Sequence, residues 1–192
     1  MSIRAFLAID ISTTVREALE HFQDQVGSIR SVKWVSPESM HVTVKFLGDI
    51  EAGQVSVLRE VLRDVTRETT SFSLTVRGVG GFPSVSRPRI LWAGVSGEVK
   101  LLGGLVLNVE SALSSLGYAQ EERPYHPHLT LARIKSRSRE AGKVLETSEV
   151  FEKEWVFGDM TVDRLCLVQS QLSPYGALYS RLWELPLEKS SH

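Results

Sequence analysis

The sequence predicts an α+β fold, and three observations carry that reading. Stretches with apolar residues three and four apart alternate with short runs rich in β-favouring residues. Several connections between these runs are short and hairpin-like, which opposes a doubly wound parallel sheet with its long crossovers. Two of the strand-like runs begin with a histidine, one in each half of the chain. The 192 residues contain no low-complexity segment and no linker rich in Pro, Gly or Ser. Residues 1–192 are therefore expected to form a single unit, one compact domain or two small lobes sharing a core.

Ile3–Ile11 reads as the first strand, apolar and β-favouring throughout. A helix follows, opened by the capping box Thr14-x-x-Glu17, with Val15, Ala18, Leu19, Phe22 and Val26 on one face and a stop near Gly27. Val32–Val35 and His41–Leu47 are strands around the turn Ser36-Pro37-Glu38. Leu58, Val61, Leu62 and Val65 give a second helix over Gly53–Arg67. Phe72–Val79 and Ile90–Val95 are strands joined by a long connection containing Gly, Pro and Arg. A third helix over Glu98–Leu116 turns Leu102, Leu105, Val106, Val109, Leu113 and Leu116 inward and stops at Gly117. His128–Ile134 is a strand, Arg139–Glu146 a short helix, and Met160–Gln169 and Leu178–Leu185 the last strands.

Composition narrows the function classes. A net charge of −1 argues against broad binding to long duplexes, which calls for a basic excess, but not against gripping one terminal phosphate. The single cysteine, Cys166, lies between Leu165 and Leu167; it excludes an internal disulfide framework and is expected to be a buried strand residue. No apolar run is long enough to span a membrane, and the N-terminus is too short and mixed for a signal peptide. A cytoplasmic protein is expected.

The two histidine-led strands read His41-Val42-Thr43-Val44-Lys45-Phe46-Leu47-Gly48 and His128-Leu129-Thr130-Leu131-Ala132-Arg133. With a period of two, each His and its Thr share one face and the intervening aliphatics the other. One His-x-Thr arises often by chance; two copies in matching places, among five histidines, are specific. Imidazoles titrate near neutrality, so one can be protonated while its partner is neutral. That pairing suits in-line displacement at phosphorus, with threonine hydroxyls holding non-bridging oxygens and a basic side chain offsetting charge. The carboxylate and histidine cluster of a typical metal site is absent from the pattern, so neither a metal nor another cofactor is expected.

These motifs resemble those of the two-histidine (2H) phosphoesterases. The flanks are similar to the RNA 2′,3′-cyclic phosphodiesterase branch, also called 2′–5′ RNA ligase-like. The resembling segments are Arg4–Ile9, His41–Gly48, Gly81-Phe82-Pro83, Arg87–Val95, His126–Arg133 and the tail Ser170-x-Leu172-x-Pro174-x-Gly176-Ala177-x-Tyr179. The resemblance implies a bilobal fold: two pseudo-symmetric antiparallel sheets flanked by helices around a central cleft lined by the His-x-Thr strands. It implies that a terminal 2′,3′-cyclic phosphate is opened to a 2′-phosphomonoester, with His41 as proton donor to O3′ and His128 as proton acceptor from water. It also implies substrate binding by Thr43 and Thr130, by Arg133 at the phosphate, and by Phe46 on the terminal base. Strict alternation would turn Arg133 and Phe46 away from the histidines, so Arg133 requires a bulge or strand end, and core packing is the competing expectation for Phe46.

Other residues invite competing readings. Lys45 shares the His41 face by alternation, as a phosphate contact or a solvated lysine. His126 neighbours His128, but Pro127 opposes regular pairing there. Tyr125 is expected to pack. His21 is expected on the surface, and the terminal His192 is uninformative. The basic segment Arg133, Lys135, Arg137, Arg139, Lys143, interrupted by Glu140, is either a solvated face or a rim that draws in RNA backbone, with Arg87 and Arg89 adding to it. Trp34, Trp92, Trp155 and Trp183 are expected in the core. A monomer acting on RNA ends, away from membranes, is expected. The alternatives are 2′–5′ ligation at the same site, a non-catalytic nucleotide-binding module, and a cyclic esterase acting on a small nucleotide.

Overall fold

A computed structural model describes residues 2–173 and 176–189; Pro174 of the resembling tail and His192 lie outside the described residues. The strands are β1 (Ser2–Asp10), β2 (Val32–Trp34), β3 (His41–Glu51), β4 (Phe72–Phe82), β5 (Ile90–Gly97), β6 (His128–Ile134), β7 (Val156–Val162), β8 (Arg164–Ser173) and β9 (Gly176–Pro186). The helices are α1 (Thr13–Val26), α2 (Gln54–Glu68), α3 (Val99–Ser114) and α4 (Ser138–Thr147). Ser12, just ahead of the expected capping box, caps α1 by accepting from the Val15 amide.

All ladder pairings are antiparallel, in the order β7-β4-β5-β6-β3-β1-β8-β9, with β2 added to β6. The order divides at its middle. β3 meets β6 at one Cα pair, Val42 with Leu129, whereas the pairings within each group of four are long. Two four-stranded lobes thus face each other across a seam. They are not the two halves of the chain: β3, β1, β8 and β9 form one lobe, and β4 to β7 form the other.

The run expected as one strand over Met160–Gln169 is therefore two strands that part at Asp163, one in each lobe. Buried residues on both sides of the break, Met160 and Val162 before it and Leu165 to Val168 after it, give the two strands one apolar appearance. α1 packs on β7, while α2 and α3 pack on each other and on β3. Leu7, Leu19, Leu62, Leu105, Leu113 and Leu129 are among the side chains fully removed from water in the main core. β1 is covered on both faces: Leu7 and Ile9 join that core, while Phe6 and Ala8 join a small layer with Cys166, Val168 and Tyr179 on the cleft side. Cys166 is buried as expected, and burial foremost pushes its thiol up to about 12. Trp34, Trp155 and Trp183 pack into the main core, but Trp92 does not; it lies against Phe82 and over Gly80. A Cβ at Gly80 would stand 2.1 Å from the Trp92 ring, so only glycine admits that contact.

Candidate active site

Both motifs carry the same irregularity. Along β3 the partners of Leu7 and Ala8 are Lys45 and Thr43, which leaves Val44 as an extra residue. Along β6 the partners of Leu91 and Trp92 are Ala132 and Thr130, which leaves Leu131 extra. Each bulge sits one residue after the threonine and resets the alternation. Val44 and Lys45 both turn to the helix face, as do Leu131 and Ala132, and the next residue returns to the cleft. That residue is Phe46 in one motif and Arg133 in the other. The obstacle that strict alternation raised against both is removed by this pair of bulges.

The cleft has a volume of about 470 Å³ and is lined by His41, Thr43, Phe46, His128, Thr130 and Arg133, together with Arg4, Phe6 and Tyr179. Every residue singled out for the site thus borders one cavity. Phe46 is 72% exposed, which excludes the expectation that it packs in the core. Lys45 departs from both of its expected roles. It is 8% exposed, donates to Glu110 Oε2 at 2.6 Å and to the Ala119 carbonyl at 2.8 Å, and so turns to α3 and does not line the cleft.

The two histidines are held alike. His41 Nδ1 lies 2.9 Å from the Ser39 carbonyl, and His128 Nδ1 lies 2.8 Å from the His126 carbonyl. A carbonyl only accepts, so Nδ1 carries the proton in each ring and Nε2 is the atom left to gain or lose one. His126 contributes this carbonyl, while its ring is exposed and borders a neighbouring groove instead of the cleft. His41 stacks on Phe6 at 4.6 Å between centroids and meets Tyr179 edge-on at 5.3 Å; His128 meets Phe82 edge-on at 5.4 Å. Burial pushes the His41 pKa below the ordinary imidazole value. The Ser39 carbonyl and the Asp10 carboxylate oppose that shift, and the Arg133 and His128 charges add to it. Asp10 stands opposite His41 in the ladder, and its carboxylate accepts from Arg181 at 2.5 Å.

Phe6, Tyr179 and Tyr125 have roles that motif reasoning did not assign. Phe6 was legible in part, since alternation along Ala5-Phe6-Leu7 turns it opposite the core-facing Leu7. Tyr125 packs as expected and also donates from its hydroxyl to the Thr43 carbonyl at 2.8 Å, tying the approach to the second motif onto the first. Burial raises its phenol pKa, which keeps the donor proton in place. Among the described residues no group of three or more His, Cys, Asp or Glu side chains is arranged to hold a metal ion, and no helix is long and apolar enough to cross a membrane.

Comparison with known proteins matches this duplicated geometry. A family model described as LigT like Phosphoesterase matches residues 9–92 and again residues 96–179, and each match begins 32 residues ahead of its histidine, His41 or His128. An RNA 2′,3′-cyclic phosphodiesterase of Methanothermobacter thermautotrophicus is 34% identical over 94% of this chain and 96% of its own length. One of Thermotoga maritima is 33% identical over 97% and 96%. Among solved structures, TT0787 of Thermus thermophilus superposes with a TM-score of 0.76 at 28% identity, covering 98% of this chain and all of the other. Escherichia coli LigT complexed with 3′-AMP superposes at 0.79 and 24% identity, over 97% and 99%, a likeness of fold.

Proposed function

The chain belongs to the LigT-like phosphoesterase family, and from that premise we propose that it is an RNA 2′,3′-cyclic phosphodiesterase that opens terminal cyclic phosphates to 2′-phosphomonoesters without a metal. The observation that carries the reading is the repeated motif geometry: two imidazoles, each with Nδ1 on a backbone carbonyl and Nε2 without a hydrogen bond from the described residues, bordering one cleft beside two threonines.

In this reading the cyclic phosphate sits between the two motifs. His128 Nε2 takes a proton from a water whose oxygen bonds to phosphorus, while the P–O3′ bond breaks and His41 Nε2 gives its proton to O3′. One proton enters His128 and one leaves His41, so exchange with solvent restores the starting state. Thr43 and Thr130 hydroxyls donate to the non-bridging oxygens, and Arg133 offsets charge developing there. Phe46 offers an exposed ring on which the terminal base stacks, a common mode for single-stranded RNA. Burial disfavours the imidazolium of His41 in the free protein; a bound phosphodiester anion favours it and restores the donor when substrate is present.

Ligation is the same chemistry with a ribose 5′-hydroxyl in the place of water, and open solvent favours hydrolysis. The test is an RNA ending in 2′,3′-cyclic phosphate, incubated with and without an excess of a 5′-hydroxyl acceptor. A terminal phosphomonoester as the main product in both supports the reading. A joined strand as the main product would make the chain a ligase, and conversion in neither would leave a binding module.

A further inference from the structure

Outside the cleft, the molecule gathers arginines at one other concavity. It has a volume of about 560 Å³ and is lined by Arg87, Arg89, Arg137 and Arg139, with Pro83, Ser138 and Glu140. The chain as a whole is nearly neutral, so four guanidinium groups around one hollow are a local excess. Of the four, only Arg137 has a carboxylate partner among the described residues, Glu140 at 3.1 Å. Arg87, Arg89 and Arg139 are exposed and make no ion pair with the described residues.

The backbone builds this hollow from two distant segments. The turn between β4 and β5 is closed by the Arg89 amide donating to the Phe82 carbonyl at 2.7 Å and the Arg87 amide to the Ser84 carbonyl at 3.3 Å. α4 lies directly on that turn. A Cβ on Gly142 would come within 2.5 Å of the Ser86 carbonyl oxygen, so glycine is what lets the helix approach and brings Arg137 and Arg139 opposite Arg87. The Ile134 amide donates to the Arg89 carbonyl at 2.9 Å, which sets Arg89 beside the end of β6 where Arg133 enters the cleft. A basic track thus leads from the cleft, through Arg133 and Arg89, to the hollow.

We propose that this hollow is a second phosphate subsite that holds the RNA backbone upstream of the cyclic end. The inference rests on the reading that the cleft takes that end. A 2′,3′-cyclic phosphate is the 3′ terminus of its strand, so the rest of the strand leaves in the 5′ direction and carries one phosphate per nucleotide. Arginine suits this task because its planar fork holds phosphate oxygens in pairs. The subsite makes the chain prefer oligoribonucleotides over single nucleotides without reading base sequence.

The test uses Arg87→Ala, Arg139→Ala and the double variant, all at exposed positions, with folding checked by thermal melting. Turnover is measured on a mononucleoside 2′,3′-cyclic phosphate and on an oligoribonucleotide with the same end. Binding of an oligoribonucleotide bearing a 2′-phosphate is measured by fluorescence anisotropy across a salt series. The double variant is expected to keep kcat/KM on the mononucleoside within about twofold and to bind the oligonucleotide roughly tenfold less tightly at low salt. Its salt dependence should lessen by about 0.7 in log–log slope for each phosphate that is no longer neutralised. Double-variant binding and salt slope equal to those of the unaltered protein would overturn the proposal, as would equal losses on both substrates. If the unaltered protein turns over neither substrate, the catalytic reading of the cleft fails, while the anisotropy comparison still decides the subsite.

Discussion

Val42 and Leu129 are the Cα partners at which β3 meets β6, and both side chains are fully buried. They are the middle residues of the two His-x-Thr motifs, so the ladder pair between the two groups of strands also sets one motif against the other. Antiparallel counting outward from this pair places His41 opposite Thr130 and Thr43 opposite His128. In-line displacement needs a base and an acid on opposite sides of phosphorus, and by this count the two imidazoles stand diagonally across the Val42–Leu129 pair, one on each strand. His41→Ala and His128→Ala should each lower turnover by about 10²-fold or more while leaving the melting temperature nearly unchanged. Near-normal single-turnover rates in either variant would remove that residue from the mechanism.

The environment of His41 has a definite pH signature. Burial leads the causes that lower its pKa, so its ring should titrate below the ordinary histidine value near 6.5. Between its folded pKa and the ordinary value, the unfolded chain holds more protons at this site than the native chain, so this site favours the native state increasingly as pH rises through that window. The check is the His41 ring proton followed by NMR through a pH titration, with and without inorganic phosphate. The inflection should lie low in the free protein and move up when the anion binds. A free-protein inflection at or above the ordinary value would contradict the assignment.

Arg133 reaches the cleft because of the Leu131 bulge, and its test separates a transition-state role from one in binding longer RNA. Arg133→Ala should slow the chemical step by about 10²-fold on a mononucleoside cyclic phosphate and on an oligonucleotide alike. Single-turnover kinetics on both substrates decide it. Unchanged rates would mean that the guanidinium does not attend the phosphate.

Lys45 and Glu110 form an ion pair at 2.6 Å with almost no access to water. Removing one charge leaves the other buried without a partner, so Lys45→Met should cost about 3–5 kcal/mol of stability, and Lys45→Met with Glu110→Met should recover much of it. Urea unfolding of the single and double variants measures this. A single variant as stable as the unaltered protein would contradict the buried pair.

These residues also show what the sequence makes legible. The His-x-Thr strands, the inward leucines of α3 and the burial of Cys166 follow from short periodicities, which local pattern expresses directly. The bulges at Val44 and Leu131 do not, because a bulge is decided by which strand lies alongside, and β1 and β5 are distant in sequence. For that reason alternation misplaced Lys45. The division at Asp163 was hidden in a similar way: two consecutive buried strands look like one long one until they are assigned to different lobes. Alternation gave the face of Phe6 but not its neighbour, and Tyr179 reaches His41 through strand order, which no motif spacing encodes.

The most direct test of two-histidine hydrolysis is product mapping under chelation. An RNA ending in 2′,3′-cyclic phosphate is incubated with the protein in excess EDTA, and the position of the product phosphate is read by phosphorus NMR. Opening to a 2′-phosphomonoester at the rate seen without EDTA is the result expected. A 3′-phosphate product would contradict O3′ as the leaving oxygen that His41 protonates, and activity abolished by EDTA and restored by one divalent ion would contradict metal-free two-histidine hydrolysis.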